Sequence, residues 1–275
     1  MDIENQSDQY PQIWQVIIVI LITVSITFLL GLIGTIIGAK TELFLLEVVI
    51  ILPALIFTLR HNFSSVILFR LRPVNKKIVF SSVFIGIAFT VVSDEIDRIV
   101  QTFFPMPEIL RNAIEESLKI QSTSDLIIIV FSAVFLAAIV EELLFRGFVQ
   151  TSFEYHFDIT KAVMASALIF TIIHFNPWWS IQVMIIGVIL GVMAWKSNSV
   201  IPSMIIHLIN NGIALIFANV EPEKYQWYLY KDHVSIPFII AAILITFYGM
   251  KLFYKFCDSS SREENFDSIR QNSDD

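Results

Sequence analysis

Long apolar runs separated by short polar breaks dominate the chain. Eight of them predict membrane-crossing helices, at residues 13–37, 43–59, 78–104, 126–153, 162–175, 181–195, 200–220 and 234–256. A helix of about 20 apolar residues spans the hydrocarbon core, and most of these runs approach or exceed that length. The fifth and sixth runs are shorter and are joined only by Asn176-Pro177-Trp178-Trp179-Ser180. That junction predicts a tight turn at the membrane interface or a shallow re-entrant corner. Between the third and fourth runs, Leu110, Ile114 and Leu118 recur every four residues, while Glu108, Arg111, Glu115 and Lys119 fill the other face. Residues 107–121 therefore predict an amphipathic helix along the outer surface, or alternatively a lid over a cavity. The fold class is all-α: a polytopic transmembrane helix bundle with a multi-pass domain over 13–257. An acidic tail, 1–12, precedes it, and a polar tail, 258–275, follows and is expected to be disordered. No internal repeat or second domain is visible.

Composition agrees with a membrane setting. Hydrophobic residues make up 56% of the chain and charged residues 16%, against about 25% charged in an ordinary soluble domain. The mean hydropathy is +0.72. The net charge of −7 and the lack of a basic face argue against nucleic acid as a partner. The one cysteine, Cys257, cannot form an intrachain disulfide. The first apolar run is too long for a signal-peptide core and lacks a basic flank, so it reads as a retained span. The loop from Arg60 to Lys77 carries Arg60, Arg70, Arg72, Lys76 and Lys77 and no acid. By the positive-inside rule it is cytoplasmic, and alternation then places both termini inside as well.

An ionisable group inside a span costs about 3 kcal/mol on insertion scales and so needs a reason. Three places stand out. In Glu141-Glu142-Leu143-Leu144-Phe145-Arg146, Glu142 and Arg146 are four apart with the acid first, the favourable order for an ion pair. That pair reads as structural support. Glu141 points about 100° away and has no local cation, so it must find a partner on another helix, bind a cation or take up a proton. The second place is His174, late in the fifth run. The third is His207 with Asn211, four apart on one face of the seventh run. Taken singly, either histidine is an ordinary packing residue or half of an interhelical hydrogen bond.

Depth brings the three together. Counting from Phe153, Lys161 and Lys196 as inner boundaries, Glu141 lies 12 residues in, His174 13 and His207 11. At 1.5 Å per residue all three sit at roughly 17–20 Å, near mid-bilayer. A carboxylate, two imidazoles and an amide in a dry pocket are parts for hydrolysis. Glu141 and His174 can activate a water, and His207 and Asn211 can donate to an oxyanion. His174, His207 and Glu141 can equally hold a Zn²⁺ with a water in the open position. No HExxH and no G-x-S-x-G motif is present.

The residues Glu141-Glu142-Leu143-Leu144-Phe145-Arg146, Phe170-Thr171-Ile172-Ile173-His174 and His207-Leu208-Ile209-Asn210-Asn211 match, in order, the E-E-x-x-x-R, F-x-x-x-H and H-x-x-x-N motifs of the CPBP intramembrane proteases. This CAAX-protease and bacteriocin-processing family is what the stretch from Leu126 to Val220 resembles. The resemblance implies an eight-helix intramembrane endopeptidase. In it Glu141 and His174 would activate water, His207 and Asn211 would stabilise the oxyanion, and Glu142 and Arg146 would support the geometry. It implies a membrane-associated peptide or protein as substrate, with either a zinc ion or a metal-free glutamate-activated water. The short chain resembles the bacterial members, associated with peptide processing, signalling and bacteriocin immunity, and implies the bacterial cytoplasmic membrane as its location.

Two rival classes remain open at this level: a proton- or cation-coupled transporter, and a non-catalytic membrane immunity or adaptor protein. Intramembrane Glu and His also build relays, although no inverted repeat is visible. Asp94, Glu95, Asp97 and Arg98 read as a locally paired cluster at the outer interface, and His61, His156 and His233 as solvated loop residues.

Overall fold

The computed structural model describes residues 10–271. Over that range the chain is helical except for connecting turns and one small hairpin. The first half comprises α1 (Ile13–Ile37), α2 (Ala39–Ile50), α3 (Leu52–Arg60), α4 (Ser65–Leu68), α5 (Lys76–Phe103) and α6 (Glu108–Leu118). Next come α7 (Thr123–Ile129), α8 (Ala137–Glu142) and α9 (Gln150–His156). Two π-helical stretches, Val130–Leu136 and Leu143–Val149, join them into a single span, Thr123–His156. The remainder is α10 (Ile159–Ile173), α11 (Ser180–Ser197), α12 (Ile201–Asn219), a hairpin of β1 (Leu229–Tyr230) and β2 (His233–Val234), and α13 (Ile236–Gln271).

Seven helices among the described residues are long and apolar enough to cross a bilayer, and the protein is an integral, multi-pass membrane protein. The remaining predicted span, the fifth, is the shorter α10, whose 15 residues rise about 22 Å, less than the hydrocarbon core of about 30 Å. It stops at His174. Asn176 then turns the chain by accepting hydrogen bonds on Oδ1 from the backbone N–H groups of Trp178 and Trp179, at 3.1 and 3.2 Å. The amphipathic segment forms α6, with no buried residue. A disordered tail is expected from residue 258; helix α13 instead continues to Gln271. The span supplies its nucleus, and Arg262, Glu263 and Glu264 are good helix formers. Residues 1–9 of the acidic N-terminal tail and 272–275 lie outside the described residues.

The bundle centres on the Thr123–His156 span. Its Phe145 and Phe148 are fully buried together with Phe170 of α10 and with Leu190 and Met193 of α11. Around this centre α5 packs on α12 and α13, α10 on α11, and α1 on α2. The outward faces carry large bare apolar side chains such as Ile36 and Phe103, 82% and 85% exposed, as a lipid-facing surface requires.

Both ends of the bundle are tied. At the basic end, the loop after α4 lies directly on the central span. A Cβ at Gly147 would stand 2.9 Å from the Phe69 Cα, so only glycine permits the approach. Arg70 is buried and ion-paired with Glu154. At the opposite end, Glu95 clamps the hairpin, accepting from the His233 ring at 3.0 Å and from the Val234 N–H at 2.7 Å. Arg98 pairs with Asp94 at 3.0 Å and donates to the Asp232 carbonyl at 2.9 Å. His233 is therefore not a free solvated residue, and neither is His156, which bonds the Pro11 carbonyl at 3.0 Å. Sequence alone misses both because their partners lie 138 and 145 residues away.

Candidate active site

The site is built on α8 and its neighbours. Glu142 is fully buried, and its Oε1 receives the Arg146 guanidinium at 2.7 Å. The same oxygen accepts from Nδ1 of His207 on α12 at 2.9 Å. With Nδ1 committed in this way, His207 presents Nε2 to Glu141, 3.8 Å from its Oε2. The adjacent glutamates, pointing apart on their helix, thus meet again through opposite edges of one imidazole. Glu141 is about one-eighth exposed, and its Oε2 has no hydrogen-bond partner.

Arg146 is held on three sides. Besides Glu142, it donates to the Gly187 carbonyl of α11 at 3.2 Å, and its guanidinium lies 4.2 Å from the centre of the Phe170 ring. The phenyl face is a favourable seat for a cation. Phe170 also touches both histidines edge-on, with ring centres 4.6 Å from His174 and 6.1 Å from His207. His174 closes α10, and its Nδ1 donates to the Phe170 carbonyl at 2.7 Å. A carbonyl can only accept, so this bond fixes the tautomer and leaves Nε2 as the basic nitrogen. Nε2 has no hydrogen-bond partner among the described residues. His174 is therefore joined to the carboxylates through Phe170 rather than by direct contact.

Asn211 lies one turn beyond His207 and donates Nδ2–H to the Ala133 carbonyl at 2.9 Å. This bond explains the π-helical stretches. Switching from i→i+4 to i→i+5 bonding perturbs the carbonyl ladder, and the perturbed groups must be satisfied from outside the helix. Asn211 serves Ala133 in the first stretch, and Ser166 Oγ serves Phe145 in the second, at 2.9 Å. Glu141 and Glu142 sit between two wound-out segments, each pinned by a polar side chain from another helix. The second amide hydrogen of Asn211 remains available to a ligand.

Glu142, Arg146, Gln150 and Glu154 recur every four residues along one face of this span, the first three fully buried and Glu154 part-buried. Gln150 donates to Glu154 at 2.8 Å and to the Gly191 carbonyl at 2.9 Å. This polar face ends at the basic end of the bundle, where Glu154 pairs with Arg70. Sequence inspection finds only its first pair, yet the spacing was available to it. A second omission is Glu47, on α2. Its Oε2 is buried and unpartnered, and its carboxylate lies within electrostatic reach of Glu141. The rule that singles out Glu141, a charge inside an apolar run, applies equally to Glu47.

The site's fitness for a metal can be judged from its donors. Among the described residues no three His, Cys, Asp or Glu side chains are grouped as a metal ion requires. His207 commits Nδ1 to Glu142 and His174 commits Nδ1 to a carbonyl, which leaves each Nε2 open; what is lacking is a third donor grouped with them. The expected set of His174, His207 and Glu141 is not assembled in a liganding geometry, so no step below is drawn through a metal.

No curated protein and no solved structure matches the chain. Residues 123–213 match the family model described as type II CAAX prenyl endopeptidase, Rce1-like. The matched stretch begins at the first residue of α7 and includes the carboxylates, Arg146, both histidines and Asn211. That family is one of proteases, and over this third of its length the chain is similar to it.

Proposed function

We propose that the protein is an intramembrane endopeptidase that hydrolyses peptide bonds of membrane-associated peptides or proteins with a water activated by Glu141. The single observation that carries this reading is Glu141 itself, a buried carboxylate with an unpartnered oxygen beside His207. In a dry site such an oxygen is a ready acceptor for a water proton.

The steps follow from the chain's own groups. A water between Glu141 and the Nε2 of His174 gives up a proton as it attacks the scissile carbonyl. The resulting oxyanion is met by the free amide hydrogen of Asn211 and by His207, when Nε2 carries a proton. The Nδ1 bond from His207 to Glu142 steadies that imidazolium. Glu141 then returns the proton to the departing amine, so charge and protons balance over the cycle. Arg146 holds Glu142 in place through their 2.7 Å ion pair, which makes it a supporting residue.

The basic loop between α3 and α5 favours a cytoplasmic position for that end of the bundle, with the Asp94–Arg98 and hairpin end outside. Prenylated chains are one candidate substrate class, from the family description. Peptide processing, signalling and bacteriocin immunity in a bacterial cytoplasmic membrane are the cellular settings that the resemblance favours.

The reading is tested by comparing peptides released from membranes that hold the wild type with those released by Glu141→Ala. Peptides produced only by the wild type, and reproduced by purified protein in liposomes, support it. Identical peptide sets would point instead to a transporter or a binding protein.

A further inference from the structure

We propose that Ser203 is a positioning residue for His207: its hydroxyl docks α12 on the backbone of α11 and so sets where the imidazole stands against the two glutamates. The effect on cleavage rests on the endopeptidase reading above; the effect on His207 does not.

Ser203, His207 and Asn211 recur every four residues and share one face of α12. Both outer members are bonded to other helices. One turn beyond His207, Asn211 donates to the Ala133 carbonyl at 2.9 Å. One turn before it, the fully buried Ser203 donates its hydroxyl to the Leu190 carbonyl of α11 at 2.8 Å. Among the described residues this is the one hydrogen bond between α11 and α12. His207 is thus bracketed, with the residue on either side of it pinned to a different helix. The place of Ser203 in the sequence makes the outward bond possible. A serine within a helix commonly bonds the carbonyl four residues back, as Ser152 does to Phe148 at 2.6 Å. Ser203 lies in the first turn of α12, and the residue four back, Ser199, precedes the helix.

The central span docks on the same stretch of α11. Arg146 donates to the Gly187 carbonyl at 3.2 Å, and Gln150 to the Gly191 carbonyl at 2.9 Å. Donors and acceptors both step by four residues, so the two helices run side by side in register. Gly191 leaves the room that Gln150 needs, since a Cβ there would stand 2.7 Å from the Gln150 Oε1. That amide is itself held by two hydrogen bonds. The carbonyls of Gly187, Leu190 and Gly191 therefore receive both helices that carry the glutamates and His207. A helical carbonyl has a second lone pair for such an added donor. With the span and α12 each fixed to α11, the distance between them is fixed as well. That distance is the one spanned by the 2.9 Å bond from His207 to Glu142. Without the Ser203 bond α12 can shift along α11, and a displacement of about 1 Å at a reacting group is enough to cost 10²-fold in rate.

Nitrogen-15 NMR of the full-length, histidine-labelled protein in lipid bilayers tests the assignment through the His207 Nδ1–H that Glu142 accepts. Peptide cleavage in liposomes supplies kcat and KM. Ser152→Ala is the control, because it also removes a buried hydroxyl–carbonyl bond, but one within a single helix. Ser203→Ala is expected to shift the His207 signal and lower kcat by about 10²-fold with KM unchanged. Ser152→Ala is expected to leave all three at their wild-type values. An unchanged His207 signal in Ser203→Ala, a signal shifted equally in both variants, or a kcat indifferent to the shift would each overturn the proposal. If Ser203→Ala does not fold, Ser203→Cys, close in size and a weaker donor, is held to the same outcomes. A wild type that cleaves no membrane peptide would end the endopeptidase reading, and a signal shifted in Ser203→Ala alone would still support the positioning of His207.

Discussion

His207 Nδ1 and Glu142 Oε1 lie 2.9 Å apart, across two helices and 65 residues of sequence. The bond orients the imidazole so that its other nitrogen faces Glu141. Glu142 is thus more than the partner of Arg146, because it also fixes which edge of His207 enters the site. Replacing Glu142 with Gln should preserve shape and weaken this orientation. We expect kcat to fall while substrate KM stays near the wild-type value, measured by peptide cleavage in liposomes.

Arg146 should be the most structural residue of the set. Arg146→Leu leaves Glu142 buried with its main counter-charge gone, a change that costs about 3–5 kcal/mol. Thermal unfolding in detergent should show a large loss. The double replacement of Glu142 and Arg146 by Leu should recover part of it, since no bare charge then remains. A double variant less stable than Arg146→Leu would contradict the pairing account.

Asn211 is expected to have two separable effects. Asn211→Ala removes an oxyanion donor, worth about 10²–10³ in kcat. It also removes the bond to the Ala133 carbonyl, a loss of about 1 kcal/mol. Cleavage rates and unfolding temperatures measured on one preparation give both figures. A variant that unfolds earlier but cleaves normally would confine Asn211 to holding the π-helical stretch.

Gly147→Ala tests the packing of the basic loop on the central span. The added methyl would stand 2.9 Å from the Phe69 Cα, and backbone cannot swing away as a side chain does. Overpacking of this kind costs about 1–3 kcal/mol. The loss should appear in thermal unfolding, and proteolysis of the loop from Arg60 to Lys77 should quicken.

Much of this arrangement was legible in the sequence. Apolar run lengths gave the spans to within a few residues, because hydrocarbon thickness imposes its own measure. The i, i+4 spacing of Glu142 and Arg146 predicted their ion pair. The π-helical stretches were not legible, since they depend on Asn211 and Ser166 reaching across from other helices. Nor was the double use of His207, because helical phase separates Glu141 from Glu142 and only the position of α12 reunites them. Nor was the edge-on contact of His174 with Phe170, which follows from the place where α10 ends. Glu47 was legible by the same argument as Glu141, as the one charged residue within the apolar run 43–59.

The central claim is that Glu141 activates the attacking water. Its most direct test is single-turnover cleavage of a membrane-anchored peptide by purified wild type and Glu141→Gln in the same liposomes. Loss of a positioned general base predicts a rate lower by about 10²–10⁴, with peptide binding and folding intact. Cleavage by Glu141→Gln within a few-fold of the wild-type rate would contradict the account.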